Sequence, residues 1–296
     1  TSCGVRGKVT EIPAIWATSG LATAPDVLAR MRDFSSALQR GDAQAALEAS
    51  RDVCLATPNS AEAHYAFGQA WMAAGKPARA EQAFAIATKL RPDFADAWVN
   101  FGLARYAQGS VNEAKSAMAR ALQAQPGHPA ATSNLSALLR LSGGYEMAET
   151  LLREALARNP RDAAARLNLV AERLQEQRPA EALALLNEVD PPADNIPAAR
   201  HWHLQRALAL IVLGRPDKAR TALGEFDALG PAPPEIAPMR LWRDALLALA
   251  EGRRADARTH AEAMEAALDH MGPGAVFEHR IMARYDLAKF WSRERE

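Results

Sequence analysis

The sequence has 296 residues, of which 49% are hydrophobic, and its 35 basic residues are matched by 35 acidic ones. This is the composition of a folded protein, and the balanced charge excludes the general electrostatic attraction with which strongly basic proteins bind nucleic acid or anionic membranes. Cys3 and Cys54 are too far apart in sequence to suggest a disulfide framework or a cysteine zinc site. Abundant alanine and few β-branched residues favour an all-helical chain.

Residues 1–25 contain scattered glycine and proline without a helical period, so we expect an N-terminal tail or leader. The segment Thr1–Gly4 is similar to the end of a bacterial lipoprotein signal, in which Cys3 would carry a lipid. A cytoplasmic protein and an envelope-anchored lipoprotein are therefore two alternatives. No run of residues is long and apolar enough for membrane insertion.

From Asp26 onward the chain repeats with a period of 34 residues. Three residue types follow this period: glycine at Gly41, Gly75, Gly109 and Gly143, alanine at Ala46, Ala80, Ala114, Ala148 and Ala182, and proline at Pro58, Pro92, Pro126 and Pro160. Glycine allows the left-handed backbone that ends a helix, alanine allows two helices to cross closely, and proline stops a second helix. Each repeat is therefore predicted to be helix, turn, helix and linker.

The period and these residue types resemble the tetratricopeptide repeat. The unit that begins at Ala61 carries the pattern at His64, Phe67, Gly68, Trp71, Ala80, Phe84, Ala87 and Pro92. The resemblance implies an all-α solenoid, a right-handed superhelix of about seven helix pairs whose first helices line a concave face. In a later unit Gln177 takes the place of the expected glycine.

The repeats are regular over residues 26–194 and diverge over 195–274, where insertions fall in the loops Pro191–Pro197 and Gly230–Pro238. Residues 275–296 carry the pattern of one more first helix. This helix either caps the array or begins a truncated repeat, and both alternatives stay open.

Amide side chains recur at the sixth position of successive first helices, and we call this series the Asn ladder: Asn100, Asn134, Asn168 and Gln205. An amide offers both a donor and an acceptor, so it can pair with the backbone of an extended peptide. The series resembles the ladder in the superhelix of O-GlcNAc transferase and in bacterial tetratricopeptide–sulfotransferase fusions. The alternative is that these amides bond only to the neighbouring helix.

Further positions of the same face could offer side-chain pockets to a peptide, and the candidates are Tyr65, Gln69, Tyr106 and Arg140. Ordinary packing between repeats is the alternative for them. Lysines with which chaperone-binding relatives hold a C-terminal carboxylate are absent from this face. The expected partner is therefore a protein or peptide of unknown identity, and pairing of two chains through the array ends is possible.

Catalytic and metal-binding patterns are missing from the sequence, so we expect no catalytic residue, no metal site and no cofactor. His201 and His203 would lie on different sides of a helix, and we expect them at the surface. The chain is accordingly predicted to be a non-enzymatic scaffold that holds an extended peptide. The alternative is the substrate-recruiting arm of a larger sulfotransferase or glycosyltransferase.

Overall fold

The structure, a computed structural model, describes residues 25–234 and 236–270. Within these residues it contains fourteen α-helices and no strand. In chain order they are α1 (Pro25–Arg40), α2 (Ala43–Ala56), α3 (Ala61–Ala73), α4 (Pro77–Leu90), α5 (Ala95–Ala107), α6 (Val111–Ala124), α7 (Pro129–Leu141), α8 (Tyr145–Arg158), α9 (Ala163–Gln175), α10 (Pro179–Asn187), α11 (Ile196–Val212), α12 (Pro216–Ala228), α13 (Ala237–Ala250) and α14 (Arg254–His270). The all-α prediction is confirmed for this part of the chain. Cys3, nearly all of the predicted tail and the predicted helix at 275–296 lie outside the described residues.

The helices form seven pairs, in which odd-numbered helices are first and even-numbered helices are second. The chain divides into two compact units between Arg158 and Asn159. In the first unit, α1 to α8, each helix packs on the next, and the first helices also touch one another, α3 against α5 and α5 against α7. In the second unit, α9 to α14, the first helices α9 and α11 also touch each other. Each unit therefore contains a row of first helices.

The turn inside each pair has the left-handed backbone that its glycine predicts. Gly109 has a φ of +82°, its N–H donates to Tyr106 O, and the next N–H, of Ser110, donates to Arg105 O. The other three glycines of the 34-residue series, Gly41, Gly75 and Gly143, have φ between +67° and +81°. The same turn recurs in the second unit at Gln177, with a φ of +59°. A side-chain-bearing residue therefore occupies a conformation that normally favours glycine.

Small residues allow the paired helices to approach closely, as the alanine series predicts. Ala46, Ala80, Ala114 and Ala148 of the first unit and Ala182 of the second are all 0% exposed. Gly68 of α3 shows how tight the crossing is, because a Cβ atom there would lie 2.5 Å from Cε1 of Phe84 on α4. Phe84 is itself fully buried, so the missing side chain at residue 68 makes room for its ring.

The helix ends follow ordinary capping rules. Among first helices, the side chains of Ser60, Asp162 and Asn195 accept hydrogen bonds from N–H groups of the first turn. Among second helices, α4 and α12 begin with Pro77 and Pro216, whose fixed φ suits the first helical position. These local signals explain why the helix pairs start where the repeat pattern places them.

Candidate peptide-binding face

The first unit brings two members of the Asn ladder onto neighbouring helices. Asn100 lies on α5 and Asn134 on α7, and these two first helices are in contact. Both amides are half-buried, so each still reaches the surface. We call the exposed side of a row of first helices that carries these amides the first-helix face.

Three of the predicted site residues form one hydrogen-bond network on this face. The hydroxyl of Tyr65 accepts hydrogen bonds from Asn100 Nδ2 at 2.9 Å and from Gln69 Nε2 at 3.2 Å. Asn100 Nδ2 also donates to Asp96 O at 3.0 Å, within its own helix. Tyr65 is 8% exposed, and its ring lies 4.9 Å from that of Phe94. The tyrosine therefore serves mainly as a buried support that fixes the orientation of the amide of Asn100.

The hydroxyl of Tyr65 has a pKa above its ordinary value and is protonated at neutral pH. Burial raises its pKa, and the negative charge of the nearby Asp96 raises it further, while the hydrogen bond from Asn100 acts in the opposite direction. A protonated hydroxyl retains one O–H that it can donate while it accepts from the two amides. The network of Tyr65, Asn100 and Gln69 side chains is therefore uncharged.

Asn134 differs from Asn100 in having an unoccupied amide. Its side chain forms no hydrogen bond with any residue that the structure describes, and it is half-buried on α7. Ala137, three residues further along α7, is exposed. Neither the donor nor the acceptor of the Asn134 amide therefore has a partner among the described residues.

The other predicted residues of the first unit lie nearer the C-terminal ends of α5 and α7. Tyr106 packs against a hydrophobic cluster that contains Val99 and Leu138. Arg140 is half-buried on α7 and already interacts within the protein. These two side chains therefore flank the first-helix face at the C-terminal ends of α5 and α7.

The second unit holds the remaining members of the Asn ladder on α9 and α11, which are in contact. Asn168 and Gln205 are both half-buried, and neither side chain is hydrogen-bonded to another residue in the described part of the chain. This unit therefore has its own pair of available amides.

One polar feature of the first helices was not predicted from the sequence. The fourth residue of a repeat donates a hydrogen bond to the carbonyl of the linker proline six residues earlier, and this occurs from His64 to Pro58 at 2.9 Å, from Trp98 to Pro92 at 2.9 Å and from Arg166 to Pro160 at 2.8 Å. Imidazole, indole and guanidinium groups thus satisfy the same carbonyl. Only the presence of an N–H donor at this position could have indicated it.

The expected surface position of His203 is wrong, because this residue of α11 is 7% exposed and its Nδ1 lies 3.2 Å from Oε2 of Glu225 on α12. Burial lowers the pKa of His203, although the nearby charge of Glu225 acts to raise it. His201 is half-buried, and its Nδ1 lies 3.0 Å from Pro197 O. Within residues 25–234 and 236–270, no three His, Cys, Asp or Glu side chains converge to hold a metal. None of the described helices has the length and apolarity that a membrane crossing requires.

Comparison with known families agrees with the helix-pair architecture. The family model of the tetratricopeptide repeat matches residues 32–93, 65–129 and 136–195, and these matches together cover more than half of the chain. The chain belongs to the tetratricopeptide repeat family. Tetratricopeptide and other helix-pair arrays present extended protein-binding surfaces, so the chain is a protein-interaction scaffold. No curated protein matches the sequence.

Solved structures of tetratricopeptide and related proteins share this fold. A tetratricopeptide repeat protein from Parabacteroides merdae has a TM-score of 0.60 at 15% identity, over 88% of this chain and 98% of that one. A chain of the APC/C hetero-tetramer Cut9–Hcn1 has a TM-score of 0.62 at 18% identity, over 88% of this chain and 48% of that one. PilF of Pseudomonas aeruginosa has a TM-score of 0.51 at 17% identity, over 83% of this chain and 93% of that one. At such low identities these likenesses establish the fold alone.

Proposed function

We propose that this tetratricopeptide chain binds an extended segment of a partner protein along its first-helix faces, with the Asn ladder pairing with the backbone of that segment. The observation that carries the proposal is the half-buried amide of Asn134 on α7, which has no hydrogen-bond partner among the described residues. A donor and an acceptor on one planar group match the C=O and N–H of a peptide unit. In this proposal the chain binds its partner and carries out no chemistry.

The spacing of the helices suits an extended peptide. Packed helices lie about 8–10 Å apart, and an extended chain advances about 3.3 Å per residue. Asn100 and Asn134, on neighbouring helices, would therefore meet every third residue of the bound segment. Such contacts involve the backbone, so they tolerate many side-chain sequences.

The two amides of the first unit have different parts in this proposal. Because Asn100 already donates through Nδ2 to Tyr65 and to Asp96 O, its remaining capacity is the acceptor Oδ1. Asn134 can both donate and accept. We therefore assign the larger share of the binding energy to Asn134 and a fixed acceptor role to Asn100.

The surroundings of the amides indicate the chemistry of the bound segment. Leu103 and Tyr106 are half-buried, and both pack on the cluster around Val99 and Leu138. They provide apolar surface beside the ladder, with Arg140 and Gln69 as polar neighbours. We propose a largely uncharged segment, and in the second unit the same role for Asn168 and Gln205. A recruiting arm of a larger transferase would use the same face, and that role stays a prediction.

The test begins with selection of binding peptides from a random displayed library on the whole chain, followed by titration calorimetry with the best of them. Asn134→Ala should weaken binding about tenfold, because one or two hydrogen bonds worth about 0.5–1.5 kcal/mol each are lost. Asn112→Ala is the matched control, since Asn112 is an exposed asparagine on the second helix α6 of the same unit.

Equal affinities of the Asn134 and Asn112 variants would refute the role of the ladder. Failure of the library to yield any peptide that binds the wild-type chain would contradict peptide binding itself. Circular dichroism of both variants checks that helix content is unchanged.

A further inference from the structure

The second unit contains a pocket of about 190 Å³ between α10, α11 and α12. One face of each helix contributes to it, because Leu183 and Asn187 lie one turn apart on α10, and Arg206 and Leu210 lie one turn apart on α11. The first two turns and a half of α12 close the pocket. It is therefore a product of helix packing within this unit.

The pocket has an apolar floor and a cationic rim. Leu183, Leu210 and Ala222 form the floor, and all three are buried. Arg206 and Lys218 contribute positive charge to the rim, together with Arg215 in the turn before α12. A ligand that fits both parts must combine an apolar group with a negative charge.

Positive charge in the lining exceeds the negative charge available to neutralise it. Glu225 is the one carboxylate among the lining residues, and its Oε2 lies 3.3 Å from Arg206 Nη1 and 3.2 Å from Nδ1 of the buried His203. Arg215 and Lys218 form no ion pair with any residue of the described chain. The N-terminus of α12 adds its partial positive charge at the same place.

Arg206 also has a donor without a partner among the described residues. The Nε atom of Arg206 is buried and finds no hydrogen-bond acceptor in the described residues. A buried donor without an acceptor is costly, by about 1–3 kcal/mol, and native proteins usually satisfy such groups. Because this atom is inaccessible to solvent, an anion at the rim of the pocket would contact the outer part of the Arg206 guanidinium, whose side chain is 35% exposed, and not Nε itself.

The size of the pocket restricts what it can hold. Sites for cofactors and drug-sized ligands usually occupy about 300–1,000 Å³. A volume of about 190 Å³ is too small for such a ligand but sufficient for part of a larger one. A single side chain of a partner protein fits this description.

We propose that this pocket anchors one apolar side chain of a partner peptide, and that a carboxylate next to that side chain pairs with Arg206, Arg215 and Lys218. The carboxylate belongs either to the C-terminus of the peptide or to an adjacent acidic residue. Gln205 of the Asn ladder does not line the pocket. The pocket is therefore a second binding site, separate from the ladder.

The smallest probes are N-acetyl-leucine and its amide, added to the whole chain labelled with nitrogen-15 on arginine. N-acetyl-leucine should produce a saturable shift of the Nε–H signal of Arg206 in the millimolar range, while N-acetyl-leucinamide should not. Two short peptides then distinguish the sources of the carboxylate: acetyl-Gly-Gly-Leu with a free C-terminus, and acetyl-Gly-Leu-Asp-Gly-amide.

Lys218→Glu should lower the affinity for N-acetyl-leucine about tenfold, since a charge-assisted contact is replaced by repulsion. Arg254→Glu is the control, because Arg254 is an exposed cation in the first turn of another second helix, α14, outside the pocket. The proposal is overturned if no carboxylate probe gives a saturable shift, if the amide binds equally well, or if both variants lose affinity alike.

Discussion

Replacing Gln177 by glycine should stabilise the second unit. Gln177 has a φ of +59°, and its turn has the hydrogen bonds of the glycine turns, with its N–H on Leu174 O at 3.2 Å and the next N–H on Arg173 O at 2.8 Å. The turn is therefore the same as that at Gly109, and only the residue type differs. The exposed side chain of Gln177 forms no hydrogen bond with the described residues, so its removal breaks no stabilising contact with them.

The size of the gain follows from two opposing effects. A side-chain-bearing residue in the left-handed region costs about 1–2 kcal/mol, and glycine removes that cost. Glycine also makes the unfolded chain more flexible, which costs about 0.4–1 kcal/mol. The net increase in the free energy of unfolding should be about 0.5–1 kcal/mol. Urea unfolding followed by far-UV circular dichroism measures it.

Two control variants isolate the backbone effect. Gln177→Ala removes the same side chain but keeps the unfavourable conformation, so it should leave stability nearly unchanged. Gly109→Gln makes the reverse change in the first unit, where a Cβ atom would meet nothing within 4 Å, so its cost is conformational alone. The reasoning is refuted if Gln177→Gly fails to exceed Gln177→Ala in stability, or if Gly109→Gln is harmless.

Two further predictions concern the first unit. Gly68→Ala should destabilise it by about 1–3 kcal/mol, because the new Cβ atom would lie 2.5 Å from the buried ring of Phe84. Gly102→Ala should cost less, since the nearest neighbour of its Cβ atom, at 2.9 Å, is the flexible end of the Met118 side chain. Chemical unfolding of both variants measures the two losses of stability, and a larger loss for Gly102→Ala would contradict the packing argument. Tyr65→Phe removes the hydroxyl that accepts from Asn100 and should cost about 1 kcal/mol in the same assay. An unchanged free energy of unfolding would show that this network does not stabilise the fold.

The repeat architecture could be predicted from the sequence because each marker residue has a local physical role. Glycines such as Gly75 were expected in the left-handed region and lie there, and the alanine series is fully buried as expected. Gln177 shows the limit of this reasoning. The helices on either side and their two hydrogen bonds impose the left-handed turn there, so a non-glycine residue can occupy it.

The polar interior was harder to predict, because its partners are distant in sequence. Arg166 has a side chain that is 3% exposed, and its guanidinium binds Pro160 O and Leu185 O and pairs with Glu188. Nothing in the local pattern distinguishes this arginine from a surface one. His203 was misplaced for the same reason, since its burial depends on packing between α11 and α12. The 34-residue period predicted which helices and repeat positions carry the Asn ladder. It did not predict the hydrogen bond from Asn100 to Tyr65.

The most direct test of peptide binding by the first-helix face observes the asparagine side chains themselves. The chain is labelled with nitrogen-15 on asparagine only, and a peptide selected on the wild-type protein is added while the side-chain NH2 signals are followed. We predict large, saturable shifts for Asn134 and slower hydrogen exchange of its NH2 group, with the signal of Asn112 on the second helix α6 unchanged. A peptide that shifts Asn112 and leaves Asn134 unaffected would contradict the proposed binding face.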